Sequence, residues 1–514
     1  MKKGICFLLS LILCLSALSG CHSSLDGYVP TGDGLTYDDD YTGPAVTKPS
    51  EHSEQVLSMA YYPDRTMNPY TCTDFTNRAL FGLLYQSLFI TDRNYQVEPQ
   101  LCSSFTMSED MKTYVFYLEN ATFADGSPVT AHDVVASLTA ARESNYYSGR
   151  FLQVEAFGVA EDGGVVFYLR NKCNNLPLLL DIPIVKEAQV SDDIPMGSGP
   201  YILDATDIGA CLRRRSNWWC NPKMAITAPS ITLISAQSPT HIRDEFEFHD
   251  LSLVCADPGS DRYADYRCDY ELWDCENGIF LYLATNEMSP VFSIPEVRTA
   301  LTYAIDRDML VEDYYRGFAR SATLPASPLS PNYSTALADQ YAFDGVRFAQ
   351  AINDAGLKDT SVTLLVNRED SLRLRVARAI AKMLTDCGLT VEMSELAGND
   401  YRYALQTWAF DLYLGQTKLS PNMDLTPFFS GSGALTYGGT NDVAANTLCQ
   451  QALENQGNYY TLHQTVMGNG LLCPVLFRSY AIYATRGLLT GLTPARDNVF
   501  YYSLGKTMEQ ALIR

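Results

Sequence analysis

The stretch FADGSPVTAHDVVASL, Phe123–Leu138, holds two aspartates, a histidine, a threonine and two serines within sixteen residues. Such a set reads either as an acid–base site or as a turn leading into a helix, and local stereochemistry decides between them. Asp125-Gly126 is a strong turn pair, and Pro128 cannot continue a strand. The Thr130 hydroxyl can cap a first-turn amide. Asp133, three residues on, stands at the capping-box position near the positive end of the helix. His132 falls in the exposed first turn. Every polar side chain therefore has a structural task, and the segment reads as turn and helix start rather than catalytic machinery.

Working outward, strand and helix signals alternate. VLSMAYY (56–62) is strand-like, and TDFTNRALFGLLYQSLF (73–89) has apolar residues at helical spacing. KTYVFYLEN (112–120) and GGVVFYLRN (163–171) are strands with aromatic and β-branched content. DIPMGSGPYIL (193–203) is a glycine- and proline-dense break, a candidate crossing between domains. IFLYLATN (279–286) reads as a buried strand. IPEVRTALTYAIDRDMLVEDYYRG (294–317) reads as one helix, with Pro295 in its first turn and Gly317 as a left-handed stop. A further helix ends at Gly356. SVTLLVN, SLRLRVARAIAKMLTDCG and LTVEMSEL then form a β-α-β run. The 514 residues imply a mixed α/β protein of about three domains.

The net charge of −22 excludes a basic face for nucleic acid, and Arg213-Arg214-Arg215 is expected to be a solvated run. The 33 tyrosines suit amphipathic surfaces. Met1-Lys2-Lys3, an apolar run from Ile5 to Leu18 and Leu18-Ser19-Gly20-Cys21 make residues 1–20 a secretory signal. That run is shorter than the roughly 20 residues of a bilayer span. The Leu-Ser-Gly-Cys pattern resembles the bacterial lipobox, which implies a lipid on Cys21. Residues 21–55, rich in Asp, Gly, Pro, Ser and Thr, read as a disordered tether. Eleven cysteines follow the signal, an odd number without a CxxC pair. Their state stays open between oxidised pairs and buried thiols. The motifs HExxH and GxSxG are lacking. The six histidines include no close pair with metal-ligand spacing, His241 and His249 being eight apart, so an exported hydrolase is disfavoured.

The strand, the Phe123–Leu138 segment and its helix together resemble the signature of the family 5 extracellular solute-binding proteins, the oligopeptide- and dipeptide-binding components of ABC importers. Further stretches resemble the family's marks in the family's order. They are TMNPY (66–70), LLYQSLFITDRNYQVEPQLCSSF (83–105), MGSGPY (196–201), VRTALTYAIDRDML (297–310), INDAGL (352–357) and FDLYLGQ (410–416). The likeness runs from about Val56 to Tyr480. It implies a periplasmic-binding-protein-like α/β fold (type II, cluster C) of two large lobes joined by a hinge, with a third, smaller lobe. By that pattern lobe I comprises 56–92, 191–283 and 482–514, the small lobe II comprises 93–190, and lobe III comprises 284–481. It also implies a monomeric lipoprotein on the extracellular face of a bacterial, Gram-positive cell membrane. Such a protein captures peptides by hinge closure and delivers them to a membrane permease, without cofactor, metal or catalysis. Relatives with other ligands leave an oligosaccharide, a nickel chelate, haem or a peptide pheromone as alternatives, or a sensor role. Only four tryptophans speak against a sugar.

The resemblance places Asp64, Arg65 and Thr66 at the cleft, with Gln416, Thr417, Lys418, Ser420 and Asn422 facing them from the segment QTKLSPN. Trp273 is a candidate to stack on a ligand, and Lys418 a candidate to meet a carboxylate. Where the family's peptide binders carry an aspartate for the ligand's amino group, this chain has Ser420, with Asp424 following. That removes one charge-assisted contact of about 1.5–3 kcal/mol. A tryptophan usual in the family is replaced at about Thr417. Arg298, Asp306 and Arg307 are expected to form ion pairs that fix their lobe, and Trp218-Trp219 to pack structurally.

Overall fold

The computed structural model describes residues 57–206, 209–260, 265–489, 491–506 and 510–513. The signal, Cys21 and the tether lie outside the described residues. The capping box forms as read: the helix Ala131–Glu143 starts at Thr130, whose hydroxyl accepts from the Asp133 amide while the Asp133 carboxylate accepts from the Thr130 amide.

Among the described residues, one mixed sheet of eleven strands organises the fold. At one end the strand Ser58–Tyr61 runs parallel to Ser230–Ser235 and to Leu253–Ala256. At the other, Ser361–Asn367 runs parallel to both Thr390–Leu396 and Leu412–Lys418. The β-α-β run thus folds as its periodicity predicts, with the helix Ser371–Asp386 as the crossover. Two long antiparallel strands, Tyr270–Thr285 and Cys473–Thr485, join the two halves. Residues 253–256 pair with 481–484 on the first side, and 279–285 pair with 412–418 on the second. Between them a register shift from Glu276 to Phe280 bulges the strand at Gly278, whose φ of +68° suits glycine. A separate five-stranded sheet holds Cys102–Ser108, Thr113–Leu118, Val154–Val159, Val165–Leu169 and Gln510–Ile513.

Separate apolar cores flank the halves. Leu57, Met59, Leu233 and Ile482 share one with Phe105, Phe116 and Phe167 of the small sheet. Leu281, Val297, Ile380 and Leu412 share another, and Phe280, Tyr413, Phe428 and Phe477 a third.

Several expectations change in detail. The single helix expected over 73–89 is two short turns, Phe75–Arg78 and Phe81–Leu84, followed by strands. Its backbone is claimed by tertiary neighbours: a Cβ on Gly197 or Gly199 would fall 2.1–2.6 Å from Leu83 or Leu84 carbonyl oxygens. The helix expected over 294–317 breaks at Ile305. Asp306 caps a new helix, Arg307–Tyr315, by accepting from the Met309 amide. Arg316, in the left-handed conformation, ends that helix one residue before Gly317.

The ion pairs expected of Arg298, Asp306 and Arg307 are not how these side chains act. Buried Arg307 donates to the carbonyls of Thr302, Ile305, Ala322 and Pro474, and Arg298 to those of Phe292 and Asn469. Arginine's five donors serve loop carbonyls that no strand or helix satisfies. Arg215 is likewise buried rather than solvated, donating to carbonyls of Thr122, Phe123, Ser198 and Gly199. Trp218 and Trp219 pack on the first core, their indole N–H groups donating to the Ser198 carbonyl and to Gln86 Oε1. All eleven described cysteines are free.

Candidate functional site

The carboxyl ends of parallel strands are where open α/β sheets receive ligands, because loops diverge there and leave a crevice. The strands Ser58–Tyr61 and Leu253–Ala256 end in this way at a cavity of about 230 Å³. Tyr62, Arg65, Asp74, Phe75, Asp257 and Tyr266 line it, with Arg243 of the helix Pro239–Glu247.

Each wall is fixed by local chemistry. Asp74 caps the turn Phe75–Arg78 by accepting from the Asn77 amide at 3.1 Å, and its other oxygen pairs with Arg65. The Arg65 guanidinium lies 3.9 Å from the Tyr62 ring centroid, a cation–π contact that holds it across the cavity. Phe75 stacks on Tyr480 of a long strand at 3.5 Å. Asp257 accepts from the Gly259 amide at 3.0 Å and from Arg478 Nη2 at 3.0 and 2.9 Å. The loop then passes under the helix Ser371–Asp386, since a Cβ on Gly259 would lie 2.5 Å from Leu372.

The sequence candidates divide between two places. Asp64 is exposed beside Arg65. Thr66 donates to the Asp193 carbonyl at 3.1 Å and accepts from the Asn68 amide, tying this loop to 193. Gln416 reaches the cavity wall indirectly, its Oε1 accepting from Arg478 Nη1 at 3.4 Å. Thr417 is half-buried opposite Phe280. Asp257 and Arg478 therefore link the Arg65 cluster with Gln416 across the sheet.

Lys418, Ser420 and Asn422 face elsewhere. Lys418 donates to Tyr146 at 2.8 Å, lies over that ring and pairs with Asp497 at 2.5 Å. Burial pushes its pKa down to about 7 against the pull of Asp497. Ser420 is buried, its carbonyl accepting from the Met423 amide. Asn422 donates to Asn175 at 3.3 Å, and its carbonyl accepts from Tyr459. Asp424 is buried against Gln153 and the Thr426 amide. Trp273 is half-buried against the first core. Neither Trp273 nor the 416–422 segment lines the cavity.

Asp257, Arg243 and Arg478 were missed by sequence reasoning. Their only local signal is the turn-forming Asp257-Pro258-Gly259, which says nothing of the neighbours that fold around it. Among the described residues no group of three or more His, Cys, Asp or Glu could hold a metal ion, and no helix is long and apolar enough to cross a membrane.

Two sheet halves joined by paired long strands, a smaller sheet packed on the first half and a charged crevice at the strand ends define an α/β protein of the periplasmic-binding type. The family model "Bacterial extracellular solute-binding proteins, family 5 Middle" matches residues 96–436, and the chain belongs to that family. It is 24% identical over 433 residues to the oligopeptide-binding protein AppA of Bacillus subtilis, covering 75% of this chain and 77% of that one. It is 25% identical over 362 residues to the glutathione-binding protein GsiB of Escherichia coli, covering 64% and 67%. The fold is similar to the crystal structure of the ABC transporter substrate-binding protein CtaP of Listeria monocytogenes. The TM-score is 0.69 at 17% identity, over 86% of this chain and 97% of that one.

Proposed function

We propose that this protein captures peptides in the cavity at the strand ends and presents them to the permease of an ABC importer. The observation that carries the reading is that cavity itself. It joins aromatic walls to charges of both signs, and a polar belt through Asp257 and Arg478 leads from it to Gln416. A peptide is dipolar along its backbone and variable in its side chains, which suits such a lining. The relatives named for oligopeptide and glutathione binding support the same chemistry. Residues 56–92, 191–283 and 482–514 serve as one lobe and 284–481 as the other. The second lobe closes over the ligand by bending at the bulge in Tyr270–Thr285, and contacts from both sides stabilise the closed state. Asp64, Thr66 and Thr417 would meet the parts of the ligand that extend past Arg65. The protein acts as a monomer, held at the extracellular face of the membrane by a lipid on Cys21.

Native mass spectrometry of protein purified from its own host tests the reading. A co-purifying peptide, displaced by an added peptide mixture, is the expected result. A bound mass without peptide bonds, together with no affinity for peptides, overturns it. Metabolic labelling with a radioactive fatty acid tests the anchor. Cys21→Ser should abolish the label and release the protein into the medium.

A further inference from the structure

The acids of the cavity differ in what they have left to offer. Asp74 commits one oxygen to Arg65 and the other to the amide that it caps. Asp257 is held by the Gly259 amide and by Arg478, yet 34% of its side chain stays open. A carboxylate offers about four lone-pair sites. Three of those on Asp257 are taken, and the group stands at the carboxyl end of Leu253–Ala256, oriented by partners on two sides. The bases are arranged differently. Arg243 pairs with its neighbour Asp244, and Arg65, 46% open, lies at the Tyr62 side. The acid that follows Ser420 cannot serve, because Asp424 is 4% exposed and already bonded to Gln153 and Thr426.

We infer that Asp257 accepts the ammonium group of the ligand, so that this chain recognises the free α-amine of a short peptide from the end of Leu253–Ala256 rather than from the segment after Leu412–Lys418. The inference rests on the peptide reading above. Pre-set hydrogen bonds keep Asp257 aimed without ligand, so little ordering is required on binding. At about 230 Å³ the cavity has room for the amino end of a peptide beside Asp257. Because Arg478 shares Asp257, an arriving ammonium also alters the contact that leads to Gln416.

The test is calorimetric, with an unmodified mixture of di- and tripeptides and the same mixture N-acetylated, on wild type and Asp257→Asn. Wild type is expected to prefer the unmodified mixture by about ten- to a hundredfold, the worth of one charge-assisted contact. Asp257→Asn should lose that preference, with a circular dichroism spectrum like that of wild type to show that the variant is folded. Should Asp257→Asn fail to fold, Asp257→Glu keeps the charge and displaces it, and a reduced preference is expected. A wild type without preference, or a variant that keeps it in full, overturns the inference and leaves the peptide reading standing. A wild type that binds neither mixture overturns both.

Discussion

Arg478 donates through Nη2 to both carboxylate oxygens of Asp257, at 3.0 and 2.9 Å, while its Nη1 reaches Gln416. The arginine comes from a long strand, the aspartate from the end of a short one, and the glutamine from a strand of the other half. With Arg478 only 10% exposed, the pair is better shielded than a surface salt bridge. Arg478→Met should therefore lower the unfolding free energy by about 2–3 kcal/mol, because an uncompensated Asp257 is left behind. Urea unfolding followed by circular dichroism measures this. A loss under about 0.5 kcal/mol would mean that water already satisfies Asp257.

Lys418 sets a pH dependence. Burial drives its pKa down to about 7. Burial also raises that of Asp497, but Lys418 and Arg496 more than offset it and hold this carboxyl below its ordinary value. One anion faces several cations, and lysine is the one able to release its proton. Between pH 7 and about 10.5 the unfolded chain binds more protons at this site than the folded one, so stability contributed here rises with pH through that window. Below pH 7 the cost of the buried charge is present in full. Lys418→Met should flatten the rise, wild type gaining about 1–2 kcal/mol on the variant between pH 7 and pH 9. Parallel stability curves would contradict it.

What was legible in the sequence was local. The Thr130–Asp133 box and the β-α-β run of 361–396 need only neighbouring residues to be recognised, and both form. IFLYLATN was legible as a strand, yet it is half of a strand that begins at Tyr270. The first half carries Asp274 and Glu276, which argue against burial until their partners are seen. Arg320 comes from 46 residues away, and Tyr95 and Ser327 meet Glu276 from opposite directions along the chain. Arg307 looked like half of an ion pair because loop carbonyls have no signature in a sequence. The cavity was hidden for the same reason: Arg65 was legible by resemblance, whereas Asp257 gains its meaning only beside Arg478.

Gly278 occupies the bulge between the halves, and a Cβ there would lie 2.2–2.6 Å from three guanidinium atoms of Arg496. That side chain is 1% exposed and donates to the Leu419 carbonyl, so it has nowhere to retreat. The positive φ adds backbone strain of its own. Gly278→Ala is expected to cost about 2–4 kcal/mol, the sum of overpacking and strain. Differential scanning calorimetry would register this as a drop in Tm, and a change below about 1 kcal/mol would show that Arg496 can yield.

The helix Ala131–Glu143 offers the sharpest separation of fold from function. Asp133 is 7% exposed and accepts from the Thr130 amide and hydroxyl and from the Glu187 amide, at 2.7–2.8 Å, so it ties the helix to a distant loop as well as capping it. Thr130→Ala removes both contacts of that hydroxyl with Asp133 and should cost about 1 kcal/mol. Asp133→Ala strands buried amides and should cost about 2–3 kcal/mol. His132 is exposed beside them, and His132→Ala should leave stability within about 0.5 kcal/mol. None of the three lines the cavity, so peptide affinity should stay at the wild-type value in each, read by the same calorimetry. A drop in affinity in His132→Ala without loss of stability would return this cluster to the list of chemical sites and put the structural reading of Phe123–Leu138 at fault.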